Sequence, residues 1–428
     1  MPLAFVIKRI CKMEIVSILI LLVVVALMFF DKIPMTTVAL TGAIVCCALG
    51  MYEFGDIFSE LGSSTVVLMF SLSIIGMAMF KSGLATTLAE FVLRFTGRSE
   101  TGVLLGILVV SAVLSAFSSN TAVVLMMIPL VKSLSEEANI SLKRTMYPLG
   151  VGAAIGGALT LVGTTSNVAG NQVLTDAGLE PMGFWSLAVV GAPIAVVSLV
   201  YMLTLGRKTL PKVEGYEGEH MEKASSTEGF SKKRMIVTAI ICVLSFTAMM
   251  ISSKLLFVAG LVGSVLLILT GCISEKDAYA SIDWKLFMLI VSFGVISSSI
   301  TNSGGGDLIA NTFVKIVGED ASPMVVCAAL FILTAVLTCF MSNVVAVVMM
   351  GPIAIHIANG LAVNPATMVI VVIIAANACF ATPLGSPYFT MLMPVAKYKF
   401  SDYVRMGMPF MLINFVIAVA IIPLVWTF

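Results

Sequence analysis

Long apolar stretches divided by short polar ones run through almost the whole chain. Stretches near the ~20 residues that cross a bilayer cover about 14–30, 33–51, 65–83, 184–206, 235–252, 255–272, 284–303 and 406–426. Two more, 147–175 and 366–396, are interrupted by Gly, Pro and Asn, and two others, 101–133 and 323–358, carry a polar break at their centres. The pattern predicts membrane helices, two of them broken, and two hairpins with polar tips. Residues 84–98 mix Glu90, Arg94 and Arg98 with Leu84, Leu88, Phe91, Val92 and Phe95, an amphipathic interfacial helix with a counterpart at 305–318. Segment 207–234, with seven basic and five acidic residues, reads as a linker.

Residue offsets reveal a repeat. Lys81-Ser82-Gly83 aligns with Asn302-Ser303-Gly304 at an offset of 221. Ser119-Asn120 aligns with Ser342-Asn343 and Pro129 with Pro352, both at 223, and Gly163-Thr164 with Gly385-Ser386 at 222. Phe184 through Gly191-Ala192-Pro193 aligns with Phe400 through Gly407-Met408-Pro409 at 216. Each half then holds five spans plus one re-entrant hairpin. An odd number of spans turns the second half upside down relative to the first.

Charge placement agrees with that topology. With the N-terminus outside and 207–234 in the cytoplasm, all but five of the 24 Lys and Arg lie inside. The five are Lys8, Arg9, Lys12, Lys254 and Lys315. Glu53, Asp56 and Glu60 fall outside, as do Asp176 and Glu180. Lys8, Arg9 and Lys12 ahead of an apolar run imitate a signal peptide, but no small-residue cleavage site follows. The run is expected to stay as a membrane helix.

Composition removes other classes. The chain is 59% hydrophobic and 11% charged, against roughly 25% charged in soluble proteins, so its solvent is lipid. A net charge of +1 argues against nucleic acid. Cys11, Cys46, Cys47, Cys242, Cys272, Cys327, Cys339 and Cys379 mostly lie in apolar runs without metal-ligand spacing, and read as packing residues. His220 and His356 are the only histidines, and His356 reads as a packing or pore-facing residue. No enzyme is expected, because the tip serines have no acid or base partner nearby. The Gly150, Gly152, Gly156, Gly157 run lacks dinucleotide spacing and reads as a face for close helix packing.

Chemistry concentrates at four places. Ser118-Ser119-Asn120-Thr121 and Ser342-Asn343-Val344 are the two hairpin tips. Entering from opposite sides, such hairpins meet near the midplane. The second arm of each starts at the tip, so its N-terminal N–H groups seat an anion. Thr160 through Asn167 and Thr382 through Phe389 break helices, and the freed carbonyls suit a cation such as Na⁺. Ser, Thr and Asn also glue membrane helices together, but matched positions in two repeats favour a site. Segments 101–131, 145–175 and 323–396 hold no Asp, Glu, Lys or Arg, which favours Na⁺ coupling or exchange over a proton relay.

These residues resemble the divalent anion:sodium symporter family of the ion transporter superfamily, over about 14–428. Ser119-Asn120-Thr121 matches the family's first Ser-Asn-Thr tip, and Ser342-Asn343-Val344 its second apart from the last residue. Gly163 through Asn167 resembles the first break, and Asn377 through Gly385 the second signature, with Phe389 where an Asn is expected. Phe400-Ser401-Asp402-Tyr403 through Gly407-Met408-Pro409 is similar to the family's last-span entry. Both departures fall in the second half-site, so the halves are expected to be unequal. An extra first helix of the family is not matched, which gives ten spans.

The resemblance implies an all-α polytopic homodimer in the inner (plasma) membrane, with two inverted-topology repeats and an elevator mechanism. Scaffold would comprise 1–100 and 235–322, and transport parts 101–206 and 323–428. Substrate would be a small anion, a di- or tricarboxylate, coupled to sodium with no other cofactor. Expected substrate contacts are Ser119, Asn120, Thr121, Ser342, Asn343, Thr382 and Pro383. Expected sodium contacts are Ser119, Asn120, Gly163, Asn167, Asn343 and Gly385. The alternatives are a sulfate or other oxyanion permease, an anion exchanger, an arsenite exporter, a Na⁺/H⁺ antiporter, or a channel.

Overall fold

Helices follow one another from end to end of the computed structural model, which describes residues 3–29, 33–57, 62, 64–93, 99–213, 215–216, 231–251, 253–318, 322–361 and 363–426. In order they are α1 (Leu3–Phe29), α2 (Met35–Ala48), α3 (Ser64–Lys81), α4 (Leu84–Leu93), α5 (Glu100–Ser115), α6 (Asn120–Glu137), α7 (Leu142–Gly157), α8 (Thr165–Asp176) and α9 (Ala188–Leu203). Then come α10 (Lys232–Ile251), α11 (Ser253–Leu269), α12 (Glu275–Ala280), α13 (Trp284–Ser303), α14 (Gly305–Val317), α15 (Pro323–Thr338), α16 (Asn343–Gly360), α17 (Pro365–Asn377), α18 (Pro387–Val395) and α19 (Phe400–Val425). Most of the 207–234 linker, Glu60, Arg94 and Arg98 lie outside the described residues.

Local chemistry sets the ends. Ser99 caps α5 by accepting from Gly102 N, and Glu100 in the first turn suits the helix dipole. Ser119 and Ser342 cap α6 and α16 by accepting from Ala122 N and Val345 N, which fixes where each second hairpin arm begins. The α3–α4 bend is 61° and the α13–α14 bend 82°. Gly83 and Gly304 stand at these bends with φ of +79° and +80°, a backbone state that costs glycine little. α12 is a short helix that the apolar pattern did not announce.

What is exposed is apolar. Ile15, Leu19 and Leu22 on α1, Val243 and Leu244 on α10, and Leu412 and Val416 on α19 all face outward, as on a lipid-facing surface. By length and composition α10, α16 and α19 are each able to cross a membrane. The described residues offer up to five such spans if the two bent pairs count singly, besides seven shorter apolar helices.

α1, α2 and α13 contact one another, as do α3, α10 and α11, and α5–α9 contact α15–α19; α13 and α14 also pack on α16, α4 on α5 and α3 on α8. α8 rests on α16 and α17 of the other half, and α18 rests reciprocally on α6 and α7. α7 and α17 are buried almost throughout. A Cβ on Gly156 would run into the Ala112 backbone, so the expected small-residue face brings α5 and α7 into contact.

Candidate functional site

Each hairpin tip is tied to the broken helix behind it. Thr160 Oγ1 donates to the Ala116 carbonyl at 2.5 Å, and Thr382 Oγ1 to the Cys339 carbonyl at 2.6 Å. The two Asn side chains complete the link. Asn120 Nδ2, turned inward, donates to the Ala153 and Gly163 carbonyls at 3.2 Å and to Ser115 Oγ at 2.5 Å. Asn343 Nδ2 likewise reaches Thr338 Oγ1 at 2.9 Å, the Gly385 carbonyl at 3.0 Å and the Ala376 carbonyl at 3.2 Å. With Oδ1 inward instead, Asn120 Oδ1 accepts from Ser115 Oγ at 2.5 Å and Asn343 Oδ1 from Thr338 Oγ1 at 2.9 Å, and two carbonyl oxygens stand beside each. Ser115, Asn120 and Ala153 correspond to Thr338, Asn343 and Ala376 at an offset of 223, and Gly163 to Gly385 at 222.

In front of these clusters lies a cavity of about 570 Å³. Both tips line it, through Ser118, Ser119, Asn120 and Thr121 from one side and Ser342, Asn343 and Val344 from the other. Thr164, Thr165, Gly385, Pro387 and Tyr388 line it from the breaks. The wall opposite is Met69–Phe80 of α3 together with Asp283, Lys285 and Phe287. The Tyr388 hydroxyl interacts with Asn120, so the second break reaches the first tip. Near this wall Lys81 Nζ lies 3.1 Å from Asp277. The Ser274 hydroxyl and the Lys81 ammonium together hold the Asp277 carboxyl below its ordinary value.

The expected site residues separate into two sets. Ser119, Asn120, Thr121, Ser342, Asn343 and Gly385 come together on the cavity, and the Gly163 carbonyl sits behind Asn120. Thr382 and Pro383 stand back from it: the Thr382 hydroxyl holds the second tip, and the Pro383 carbonyl accepts from Thr390 Oγ1 at 2.5 Å. Asn167 is fully buried and already saturated. Its Nδ2 donates to the Gly157 and Thr160 carbonyls at 2.9 and 2.8 Å, and its Oδ1 accepts from Asn377 Nδ2 at 2.7 Å.

The second half solves the same problem with aromatic rings. Phe389, at the position matching Asn167, is fully buried and stacks on Tyr147 at 5.5 Å between centroids. The Tyr147 hydroxyl donates to the Phe380 carbonyl at 3.0 Å, so a phenol from the first half takes the place of the missing amide. Sequence reasoning missed Ser115, Thr338 and Tyr147, and held Thr165 and Tyr388 only as members of the two breaks. Ser115 and Thr338 had a usable signal, a hydroxyl five residues before each Asn at the repeat offset.

The family model described as citrate transporter matches residues 25–314 and 256–428 in two overlapping stretches. An uncharacterised transporter of Escherichia coli strain K12, YfbS, is 22% identical over 97% of this chain and all of its own length. The sodium-dependent dicarboxylate transporter SdcS of Staphylococcus saprophyticus is 23% identical over 92% of this chain and 82% of its own. Among solved structures, the YdaH transporter of Alcanivorax borkumensis shares the fold, with a TM-score of 0.63 at 13% identity over 87% of this chain and 88% of that one.

Proposed function

This chain belongs to the citrate transporter family, and on that premise we propose that it is a sodium-coupled secondary transporter of small carboxylates. Di- and tricarboxylates are the substrate class. The observation that carries the reading is the pair of matched clusters behind the tips, in each of which three oxygens converge on one Asn amide. Neutral oxygens at a helix break, without a fixed charge, suit a weakly held monovalent cation. Asn120 and Asn343 then stand between ion and anion: Oδ1 turns inward to the cation and Nδ2 outward to the carboxylate. Ser115, Gly163 and Ala153 serve the first ion, and Thr338, Gly385 and Ala376 the second. Asn167 keeps the expected place beside the first ion only as a pin that holds the break open.

Cation and anion stabilise one another across each Asn, since each neutralises charge that would otherwise be buried alone. That is the coupling. Ion binding orients the two amides, substrate binding completes the neutral assembly, and only the neutral assembly crosses the apolar interior cheaply. The reciprocal seating of α8 on α16 and α17, and of α18 on α6 and α7, supports two inverted repeats. The packing of α5–α9 against α15–α19 supports transport parts 101–206 and 323–428 that move together, against a fixed scaffold of 1–100 and 235–322. The carrier is a homodimer in the inner membrane, with 207–234 cytoplasmic.

The test is radiolabelled succinate uptake into proteoliposomes with and without an inward Na⁺ gradient. Uptake that needs the gradient is expected, and Asn120→Ala is expected to abolish it. Uptake indifferent to Na⁺, or no uptake of any carboxylate or sulfate, overturns the reading.

A further inference from the structure

The tips share Ser119 with Ser342 and Asn120 with Asn343, but three hydroxyls beside them are not shared. At the offset of 223, Ser118 faces Met341 and Thr121 faces Val344, and at 222, Thr165 faces Pro387. Ser118, Thr121 and Thr165 all line the central cavity, as do Val344 and Pro387. Ser118 is 4% exposed and its hydroxyl has no partner. A buried hydroxyl beside a cavity and without a partner leaves a donor for a ligand to take up. Thr121 and Thr165 stand at the starts of α6 and α8, where the first N–H groups lack intrahelical partners. In the second half Pro387 begins α18 and has no N–H to offer, and Val344 presents methyl groups. An ionised carboxylate set against them would lose solvation without a matching set of donors.

From this asymmetry we infer that the site grips one carboxylate with its fullest set of donors, at the first tip, while at the second tip Ser342 and Asn343 remain and apolar Val344 and Pro387 take the place of two donors. The inference rests on the carboxylate-carrier reading and narrows it. The substrate enters in one orientation. Ser118, Thr121 and Thr165 bind its charge, and Val344 and Pro387 set what is tolerated at the other end. A four-carbon monocarboxylate is therefore expected to compete with a four-carbon dicarboxylate for the first tip.

The test is Na⁺-driven succinate uptake in proteoliposomes at neutral pH with butanoate as competitor. For the wild-type chain, butanoate is expected to inhibit at concentrations within about tenfold of the succinate KM. Val344→Thr adds one hydrogen bond to a charged group, so it should lower the succinate KM by about tenfold and leave butanoate inhibition unchanged. Thr121→Val should weaken both by a similar factor. Thr121→Ser, which keeps the hydroxyl, should preserve both and shows that any loss is not a folding failure. Succinate uptake that butanoate does not touch at a hundredfold excess, or a Val344→Thr variant with unchanged KM, overturns the one-carboxylate grip while the carrier reading stands. Absence of Na⁺-dependent succinate uptake removes the carrier reading, and this inference with it.

Discussion

On the proposed function Asn120 and Asn343 each have one amide group and two tasks, and that makes them sensitive positions. Removing Ser115 Oγ from the first cluster takes away one oxygen 2.5 Å from the Asn amide and leaves the cavity wall intact. Ser115→Ala is accordingly expected to raise the Na⁺ concentration for half-maximal uptake by about tenfold, with the succinate KM unchanged at saturating Na⁺. A matching rise in succinate KM would place Ser115 on the substrate side instead. The Asn residues were legible in the sequence because the repeat pairs them. Their oxygen partners were less so: the Ala153 and Ala376 carbonyls are backbone atoms, and backbone atoms carry no mark of residue type. Asn167 illustrates a related point. An amide in a polar break looks like a ligand, but the carbonyls freed by that break also need donors, and Asn167 supplies them.

Helix elements show how the tips are held. Thr160 and Thr382 each donate to a tip carbonyl, and both are buried. Thr160→Val leaves the Ala116 carbonyl without that donor, at a cost of about 1–3 kcal/mol. It is expected to lower the thermal unfolding midpoint and also to slow Na⁺-dependent uptake, because the loosened tip carries Asn120. The α5–α7 contact is a purely structural counterpart. Gly156→Ala pushes a methyl into the Ala112 backbone and should destabilise by about 1–3 kcal/mol, measured by thermal unfolding of the detergent-purified protein. Helix existence and most boundaries were visible in the apolar pattern, including both hairpins and both breaks. α12 was not, since Glu275–Ala280 is short and polar, and short polar helices have no apolar period to betray them.

At the scale of the whole molecule the question is what moves. Gly76 stands on α3 in the proposed scaffold and Ser118 at a tip of the proposed transport part, and a Cβ on Gly76 would lie 4.0 Å from the Ser118 Cβ. That separation suits a disulfide. In a background without the native cysteines, Gly76→Cys with Ser118→Cys should cross-link on mild oxidation and lose whatever uptake the same variant shows when kept reduced, and reduction should restore that reduced-state rate. A cross-linked carrier that still transports would mean that tip and scaffold do not slide past each other. By itself, the sequence determined that the chain is a run of membrane-type apolar segments, that matched residues recur at a near-constant offset, and that polar tips interrupt apolar arms. All three are properties of order and period along the chain. Only the tertiary structure decided which oxygens surround each Asn, that a Tyr147 phenol stands in for an amide lost at Phe389, and that both tips share one cavity. Those facts depend on residues far apart in the chain meeting in space, and on backbone atoms that every residue has alike.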